Sequence, residues 1–202
     1  MKYFIIEKDK SYTFSDYFKL DPPIDDLLDY FGYSHEVEKH VFSKMSLDIH
    51  YFSDLALLLE QHIRYVNLTS DIARRESLIA PVLLKIAVYL KMRVEIEYSI
   101  KVNHQLKGKI DYYLPQENNM LIVEAKKGDL QRGFTQLAVE LIALDKWLDE
   151  DEKPIFGAVT VGDIWRFGIL NRQTKRITQD MNLFRVPADL DELLQVLLAI
   201  LS

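Results

Sequence analysis

Two acidic residues and a lysine, Asp111, Glu124 and Lys126, have the types and the spacing that metal chemistry requires. They lie in segments 108–115 and 120–127, where the residue pattern predicts two β-strands. Carboxylate oxygens without nitrogen or sulfur ligands favour Mg²⁺ or Mn²⁺, which keep several waters and bridge to phosphate groups. The sequence therefore predicts a divalent-metal site of the kind that hydrolyses phosphodiester bonds.

The register of this hairpin decides whether the two acids meet. A loop at residues 116–119 places Asp111 directly opposite Glu124. Opposed residues bring their Cβ atoms to about 4.5–5.5 Å, a distance at which two carboxylates repel each other unless a cation lies between them. Lys126 projects from the same face as Glu124, since side chains alternate along a strand. Taken alone, the hairpin has an alternative interpretation: it could be a surface hairpin with a charged, solvated face and no metal.

A helix ahead of the hairpin adds a third acid. The pattern predicts a helix over residues 71–90, with an apolar stripe formed by Ile72, Ile79, Leu83, Ile86 and Leu90. Glu76 lies within this stripe and is therefore predicted to face the sheet. Because burying an unpaired carboxylate is costly, it needs a cation or strong hydrogen-bond donors. Coordination of a metal or its water is one interpretation, and a salt bridge to Arg75 or Arg93 is the other.

The second helix supplies an amide side chain. Asp129 is a candidate N-cap for a helix that runs to about residue 148. Its core stripe is formed by Leu137, Leu141, Leu144 and Leu148. Gln136 lies to one side of this stripe, where it either orients a water or phosphate or is an ordinary polar residue of the helix.

The remaining elements define the fold class. Further helices are predicted at 51–64 and 189–201, and further strands at 92–100, 155–161, 164–170 and weakly near 183–186. Gly162-Asp163 is the predicted hairpin turn between two of these strands. The order helix, three strands, helix, strands (α-β-β-β-α-β) predicts an α/β fold with a mixed sheet flanked by helices.

The N-terminal part of the chain has a different character. Residues 1–68 form a predicted α+β elaboration packed on the core, with β-like pieces at 3–7 and 12–15 and a short helix after Pro22-Pro23. Residues 69–202 form the α/β core with its C-terminal helix, and the whole is expected to be a single compact unit.

Composition restricts the class of protein. Of the 202 residues, 49% are hydrophobic and none is cysteine, which excludes disulfides and thiolate metal sites. No apolar run is long enough for a signal peptide or a membrane span, so we expect a cytoplasmic protein without a membrane partner. The net charge of -6 argues against a broadly basic nucleic-acid binder but leaves a local metal-assisted site open.

The combined set resembles the signature of the restriction-endonuclease-like PD-(D/E)XK nuclease superfamily. In that superfamily a helix carries a glutamate, the next strands carry an aspartate and a (D/E)xK tripeptide, and the following helix often carries a glutamine, as in RecB-type members. The corresponding residues are Glu76, Asp111, Glu124-Ala125-Lys126 and Gln136, spread over about residues 69–170. The resemblance implies a restriction-endonuclease-like core and a nuclease that uses Mg²⁺ or Mn²⁺.

The resemblance also implies a role for each residue. Asp111 and Glu124 would hold one or two metal ions, with the Ala125 carbonyl as a further ligand. Glu76 would bind the metal or its water shell. Lys126 would position or help deprotonate the attacking water and stabilise charge on the phosphorus centre. Gln136 would help orient the phosphate or the water.

Two positions depart from the superfamily pattern. Ile110 stands where the motif has proline, and Glu140 stands where RecB-type members have a tyrosine. Longer stretches are similar to an uncharacterised family of bacterial, largely cyanobacterial, proteins: ARRESLIAPVL, LKGKIDYYL, VEAKKGDLQRGFTQLAVELIALD and GAVTVGDIWRFGIL.

Two functions are therefore expected from different classes. The first is a DNA endonuclease acting through the metal set. The second is a catalytically silent nuclease-like scaffold or subunit that binds a protein partner or nucleic acid. A homodimer contact through the closing helix is a further, minority interpretation, while core packing accounts for its leucines.

Overall fold

The computed structural model describes residues 6–116, 120–125, 128–148 and 153–202. The helices are α1 (Phe14–Leu20), α2 (Ile24–Phe31), α3 (Ile49–Tyr65), α4 (Asp71–Arg74), α5 (Ala80–Leu90), α6 (Leu130–Trp147) and α7 (Leu190–Leu201). A π-turn, Arg75–Ile79, joins α4 to α5. The strands are β1 (Ser34–Glu38), β2 (Glu95–Lys101), β3 (Lys107–Pro115), β4 (Met120–Ala125), β5 (Ile155–Thr160), β6 (Ile164–Asn171), β7 (Arg176–Asp180) and β8 (Phe184–Arg185).

All eight strands of the described residues belong to one mixed sheet. The strand order is β1-β7-β6-β5-β4-β3-β2, and β8 pairs with β6. The β4–β5 and β1–β7 pairs are parallel and the others are antiparallel. Because α6 connects the parallel strands β4 and β5, the carboxyl ends of these strands meet at one edge of the sheet. The protein is thus a mixed α/β protein whose sheet is flanked by helices, as predicted.

Each face of the sheet has its own buried apolar cluster. One cluster combines residues of α3, α5 and α7 with Leu121, Val123 and Ala125 of β4. The other combines residues of α1, α2 and α6 with Ile122 of the same strand. Alternate residues of β4 therefore face opposite helical layers, as the period of two requires. Glu124 has the parity of Ile122 and faces α6.

The predicted elements are mostly present, with local differences. The hairpins β3–β4 and β5–β6, the helix after Pro22-Pro23 and the Asp129 cap of α6 are confirmed. The β-like segment 12–15 is wrong, because Thr13 and Asp16 form a capping box that begins α1. Only residues 6 and 7 of the other β-like piece, 3–7, lie within the described residues, and they form no strand.

The predicted single stripe on helix 71–90 is also wrong in its first turn. Ile79, Leu83 and Ile86 are fully buried, whereas Ile72 is 70% exposed. The π-turn contains one residue more than an α-helical turn, so it rotates the preceding residues by about 100° relative to those that follow. Glu76 is therefore exposed and does not lie on the packed face.

The N-terminal segment packs closely on the core. Gly108 of β3 has φ +150°, and a Cβ at this position would lie 2.7 Å from Cδ2 of Phe14. The fully buried ring of Phe14 therefore occupies the space that any side chain at position 108 would need. In the described part of the chain, no helix has the length and apolar character needed to cross a membrane.

Candidate functional site

The predicted acids lie where β3 and β4 separate. The confirmed hairpin register pairs Pro115 with Met120 and continues to Tyr112 with Val123. Among the described residues the ladder stops there, one pair short of the predicted pair between Asp111 and Glu124. Oδ2 of Asp111 instead accepts a hydrogen bond from the backbone N–H of Ala125 at 2.9 Å. The aspartate side chain thus takes the place of the next ladder bond and lies beside the Glu124-Ala125 peptide.

The other neighbour of β3 is irregular at the same level. Strand β2 pairs Ile96 with Tyr112 and Tyr98 with Ile110, but the intervening residues Glu97 and Asp111 form no ladder pair. Glu97 has φ +53°, a left-handed conformation that is unfavourable for a non-glycine residue. Strain of this kind clusters at binding and catalytic sites. The backbone therefore departs from regular β-structure on both sides of Asp111.

Arg75, in the π-turn, contacts Asp111. Its Nη1 lies 3.2 Å from Oδ1 of Asp111, and the two side chains are only 17% and 19% exposed. The same nitrogen lies 3.5 Å from Oε1 of Glu97, and the guanidinium carbon lies 5.8 Å from the centroid of the Tyr112 ring. Burial alone lowers the pKa of Arg75, but the charge of Asp111 and the contact with Tyr112 outweigh it and raise that pKa. Arg75 is therefore a firmly charged partner of Asp111.

Glu76 is near this cluster but not in the predicted position. Of its two predicted salt-bridge partners, Arg75 and Arg93, the first pairs with Asp111 and Glu97. Burial raises the pKa of the Tyr112 hydroxyl, Arg75 opposes this rise, and the negative charges of Glu76 and Asp111 add to it. Glu76 thus acts electrostatically on the site from its solvent-exposed side.

Glu124 is held from the opposite side of the sheet by Gln136. Nε2 of Gln136 donates to Oε1 of Glu124 at 2.7 Å and to Oε1 of Glu140 at 2.8 Å. The three side chains are nearly inaccessible, at 2% exposed for Glu124, 2% for Gln136 and 0% for Glu140. Both amide hydrogens of the glutamine are therefore used to orient buried carboxylates. Orientation of a water or phosphate by Gln136 stays a prediction, and the contacts observed are with the carboxylates of Glu124 and Glu140.

Glu140 is a site residue to which sequence reasoning gave no function. It appeared there only as a departure from the RecB-type pattern. Its position four residues after Gln136 places both side chains on the same side of α6, which was the available signal. Residues 133–145 of α6 are all buried, because α1 and α2 cover the side of the helix that faces away from the sheet.

Arg166 is a second residue that sequence reasoning missed. Glu124 pairs with Val159 of β5, which in turn pairs with Arg166 of β6, so the three side chains share one face of the sheet. Two strand spacings separate Arg166 from Glu124, roughly 10 Å. Within the described residues, its buried Nε has no hydrogen-bond partner. Burial lowers the pKa of Arg166, and the charge of Asp180 opposes this.

Lys126, the remaining predicted site residue, lies outside the described residues. The described residues contain no group of three or more His, Cys, Asp or Glu side chains arranged to hold a metal ion. Two carboxylates and a backbone carbonyl still fit Mg²⁺, which uses one or two carboxylates and completes its shell with water. The donor set of Asp111, Glu124 and Ala125 is accordingly suited to a hydrated Mg²⁺ or Mn²⁺ and not to a closed protein cage.

Comparison with known proteins identifies no relative of this chain. No protein-family model, curated protein or solved structure matches the chain. The case for a function therefore rests on the residues and contacts described above.

Proposed function

We propose that this protein hydrolyses phosphodiester bonds in nucleic acid in a metal-dependent reaction, as a DNA endonuclease with a restriction-endonuclease-like core. One observation carries the proposal. The Asp111 carboxylate accepts from the backbone N–H of Ala125, and Gln136 orients the carboxylate of the preceding residue, Glu124, so two oriented acids from neighbouring strands converge on the backbone at the Glu124-Ala125 peptide. This point lies at the carboxyl end of β4, the usual place for ligands in α/β proteins.

The roles of the residues follow from their surroundings. A Mg²⁺ ion bound here would lower the pKa of a bound water and neutralise charge that develops on the phosphate. Asp111 and Glu124, with the Ala125 carbonyl, would supply its oxygen ligands. Gln136 would fix the rotamer of Glu124 so that little reorganisation is needed when a ligand binds. Lys126 keeps the role of positioning the attacking water, and exposed Glu76 is suited to the outer water shell.

Charge at the same edge favours an anionic substrate. The net charge of the chain is -6, so phosphate binding requires local cations. Arg166 shares the face of Glu124, and burial destabilises its charge more than Asp180 stabilises it. A phosphate of the nucleic-acid backbone would satisfy this guanidinium through hydrogen bonds of the kind that arginine makes best.

A silent scaffold is the second candidate, and Arg75 favours it. Its guanidinium already neutralises Asp111 at 3.2 Å, as a metal ion would do in an active nuclease. A protein that had lost its metal could retain its fold through such an ion pair and bind a protein partner or nucleic acid without cleaving it.

Cleavage assays separate these candidates. Purified wild-type protein, Asp111→Asn and Glu124→Gln would be incubated with supercoiled plasmid and linear duplex in Mg²⁺, Mn²⁺ or EDTA. Glu192→Gln is the matched control, because Glu192 is an exposed glutamate of α7 whose partner is Lys44. The circular substrate distinguishes endonuclease from exonuclease action, and a single-stranded RNA of equal length tests the substrate class.

We expect the wild type and Glu192→Gln to cleave only with metal. Loss of either ligand should reduce the rate by at least about a hundredfold, since several kcal/mol of charge stabilisation is lost with the metal. If no preparation cleaves any substrate, or if Asp111→Asn cleaves as fast as the wild type, the enzymatic proposal is wrong.

A further inference from the structure

Asp111 and Glu97 share the cation of Arg75. Nη1 donates to Oδ1 of Asp111 at 3.2 Å and lies 3.5 Å from Oε1 of Glu97. A guanidinium and a divalent cation seek the same carboxylate lone pairs and repel each other. Asp111 therefore cannot serve both at full strength. A metal ion that binds Oδ1 of Asp111 requires Arg75 to withdraw.

Glu97 can bind Arg75 after Arg75 leaves Asp111. It also contacts Lys109, whose Nζ lies 2.8 Å from Oε2, so this carboxylate is fixed from its other side. Hydrogen bonding from Lys109, followed by the charges of Lys109 and Arg75, lowers the pKa of Glu97 and keeps it ionised. Glu97, which is held at φ +53° between the strands, thus provides a second carboxylate for Arg75 beside that of Asp111. An arginine released from Asp111 remains next to the site.

We propose that the divalent cation and Arg75 compete for Asp111, and that Arg75, once displaced, stays tethered to Glu97 and binds the substrate phosphate beside the metal. This inference rests on the proposed function. It makes Arg75 a phosphate-binding residue that is available only in the metal-bound protein. In the metal-free protein the same side chain neutralises Asp111 and occupies its Oδ1.

Arg74 offers a matched control one residue away. It carries the same charge on the adjoining turn, but its Nη1 donates to the Val161 carbonyl at 2.7 Å and lies 3.4 Å from Oδ1 of Asp163. Removing Arg74 changes the net charge as much as removing Arg75 does and leaves the pair with Asp111 intact. Any effect of charge alone therefore appears in both variants.

The first experiment titrates Mn²⁺ into wild type, Arg75→Gln and Arg74→Gln by calorimetry. We expect Arg75→Gln to bind Mn²⁺ at least about fivefold more tightly than wild type, and Arg74→Gln to stay within about twofold. In an Asp111→Asn background the Arg75→Gln gain should disappear, as a double-mutant cycle requires when both changes act on one contact. Arg75→Lys is the fallback if Arg75→Gln does not fold. A lysine cannot reproduce the guanidinium geometry, so a smaller gain in the same direction is expected.

The second experiment measures binding of a fluorescent 20-base-pair duplex in Ca²⁺ or EDTA. Ca²⁺ accepts the same oxygen ligands with looser geometry. In Ca²⁺, Arg75→Gln should bind about fivefold more weakly than Arg74→Gln, because the displaced arginine is missing. In EDTA the two variants should bind equally, because there Arg75 is engaged with Asp111.

Each outcome decides between the claims. Equal Mn²⁺ affinity in wild type and Arg75→Gln overturns the competition but leaves the proposed function standing. An equal gain in Arg74→Gln overturns it as well, by showing a general charge effect. Mn²⁺ binding by Arg75→Gln but not by wild type supports the inference and favours the silent scaffold. No Mn²⁺ binding by any form overturns both the inference and the proposed nuclease. A weaker Arg75→Gln complex in EDTA overturns the metal-dependent role in phosphate binding.

Discussion

At the residue scale, a single amide group orients two buried carboxylates. Gln136 donates its two amide hydrogens to Glu124 and Glu140. Hydrogen bonds to charged groups inside a protein contribute more than neutral ones, and losing them leaves the desolvation cost of the carboxylates. Gln136 is therefore a structural residue as well as a positioning residue for Glu124.

We expect Gln136→Leu to lower the free energy of unfolding by about 2 kcal/mol, because leucine fits the volume but donates no hydrogen bond. Urea unfolding followed by circular dichroism measures this. The control is Thr135→Ala, which removes a 3.3 Å hydrogen bond to the Gln131 carbonyl and one buried methyl group in the same turn. If Gln136→Leu is no less stable than Thr135→Ala, the two carboxylates do not depend on the glutamine.

The sequence indicates which residues belong to the candidate site better than it predicts what surrounds them. The hairpin register is as predicted, because strand parity and hairpin length depend on local sequence, but the ladder ends before Asp111 and Glu124 pair. The contact between Gln136 and Glu124 was not predicted. Helical spacing places Glu140 beside Gln136 but does not indicate its role. Arg75 acquires its role through a contact with a distant strand that local periodicity does not encode. The position of Glu76 differs from the prediction because the π-turn adds one residue to the helix. Tertiary packing decides where such an extra residue is accommodated, and local periodicity does not show it.

At the element scale, the edge formed by the ends of β4, β5 and β7 and the starts of β3 and β6 carries the chemistry. The row from Glu124 through Val159 to Arg166 places a carboxylate and a guanidinium on one face. Arg166 is a half-buried guanidinium whose Nε has no partner among the described residues, and the charge of Asp180 offsets its burial only in part, so it is costly to the fold. Such a residue is favourable for binding and unfavourable for stability.

Arg166→Met should therefore raise the free energy of unfolding by about 1 kcal/mol, because the buried charge is removed. The same change should weaken duplex DNA binding. It should also reduce the slope of log affinity against log salt concentration by the contribution of about one phosphate contact. Urea unfolding and fluorescence anisotropy over a salt series measure the two effects. Arg172→Met is the control, since Arg172 donates to Asp145 at 2.7 Å and its loss should destabilise the fold. A destabilised Arg166→Met with unchanged DNA affinity would give Arg166 a structural role only.

Elements were predictable where their pattern is local. β3, β4 and α6 follow from alternation, helical periodicity and the Asp129 cap. β1 has the sequence SHEVE, which has no apolar face, and it is a strand because it pairs with β7 far along the chain. Long-range pairing of this kind outweighs local propensity, so β1 and β7 were missed.

At the scale of the whole molecule, one buried aspartate connects distant parts of the chain. Asp145 of α6 is 1% exposed and accepts from Arg172 and Lys175, each at 2.7 Å. It also accepts from the Tyr33 hydroxyl of the N-terminal segment at 2.5 Å. The N-terminal segment, α6 and the β6–β7 region thus share one ionic cluster. This network ties residues of the predicted elaboration, 1–68, to those of the predicted core, 69–202.

The stability of this cluster should depend on pH. Burial raises the pKa of Asp145, but hydrogen bonds from Lys175, Tyr33 and Arg172 outweigh it, so the pKa is lowered overall. A lowered folded-state pKa gives stability that is complete above the unfolded value of about 3.9 and is lost as pH falls below it.

Asp145→Asn should therefore cost about 3 kcal/mol at pH 7, and the cost should shrink as pH falls below about 4. Urea unfolding at pH 7 and pH 3 tests both parts. Asp163→Asn, which changes an exposed ion pair with Arg74, should alter the free energy of unfolding by less than about 0.5 kcal/mol. A cost for Asp145→Asn that does not change between the two pH values would contradict the assignment of the charge.

The central claim is that Asp111 and Glu124 hold one divalent cation between them. Calorimetric titration of Mn²⁺ into wild type, Asp111→Asn and Glu124→Gln tests it most directly, with Glu192→Gln as the control. We expect a saturable site in the wild type and in the control, and a loss of at least about tenfold in Mn²⁺ affinity when either acid is changed. Equal Mn²⁺ affinity in all four proteins, or no binding in any of them, would contradict it.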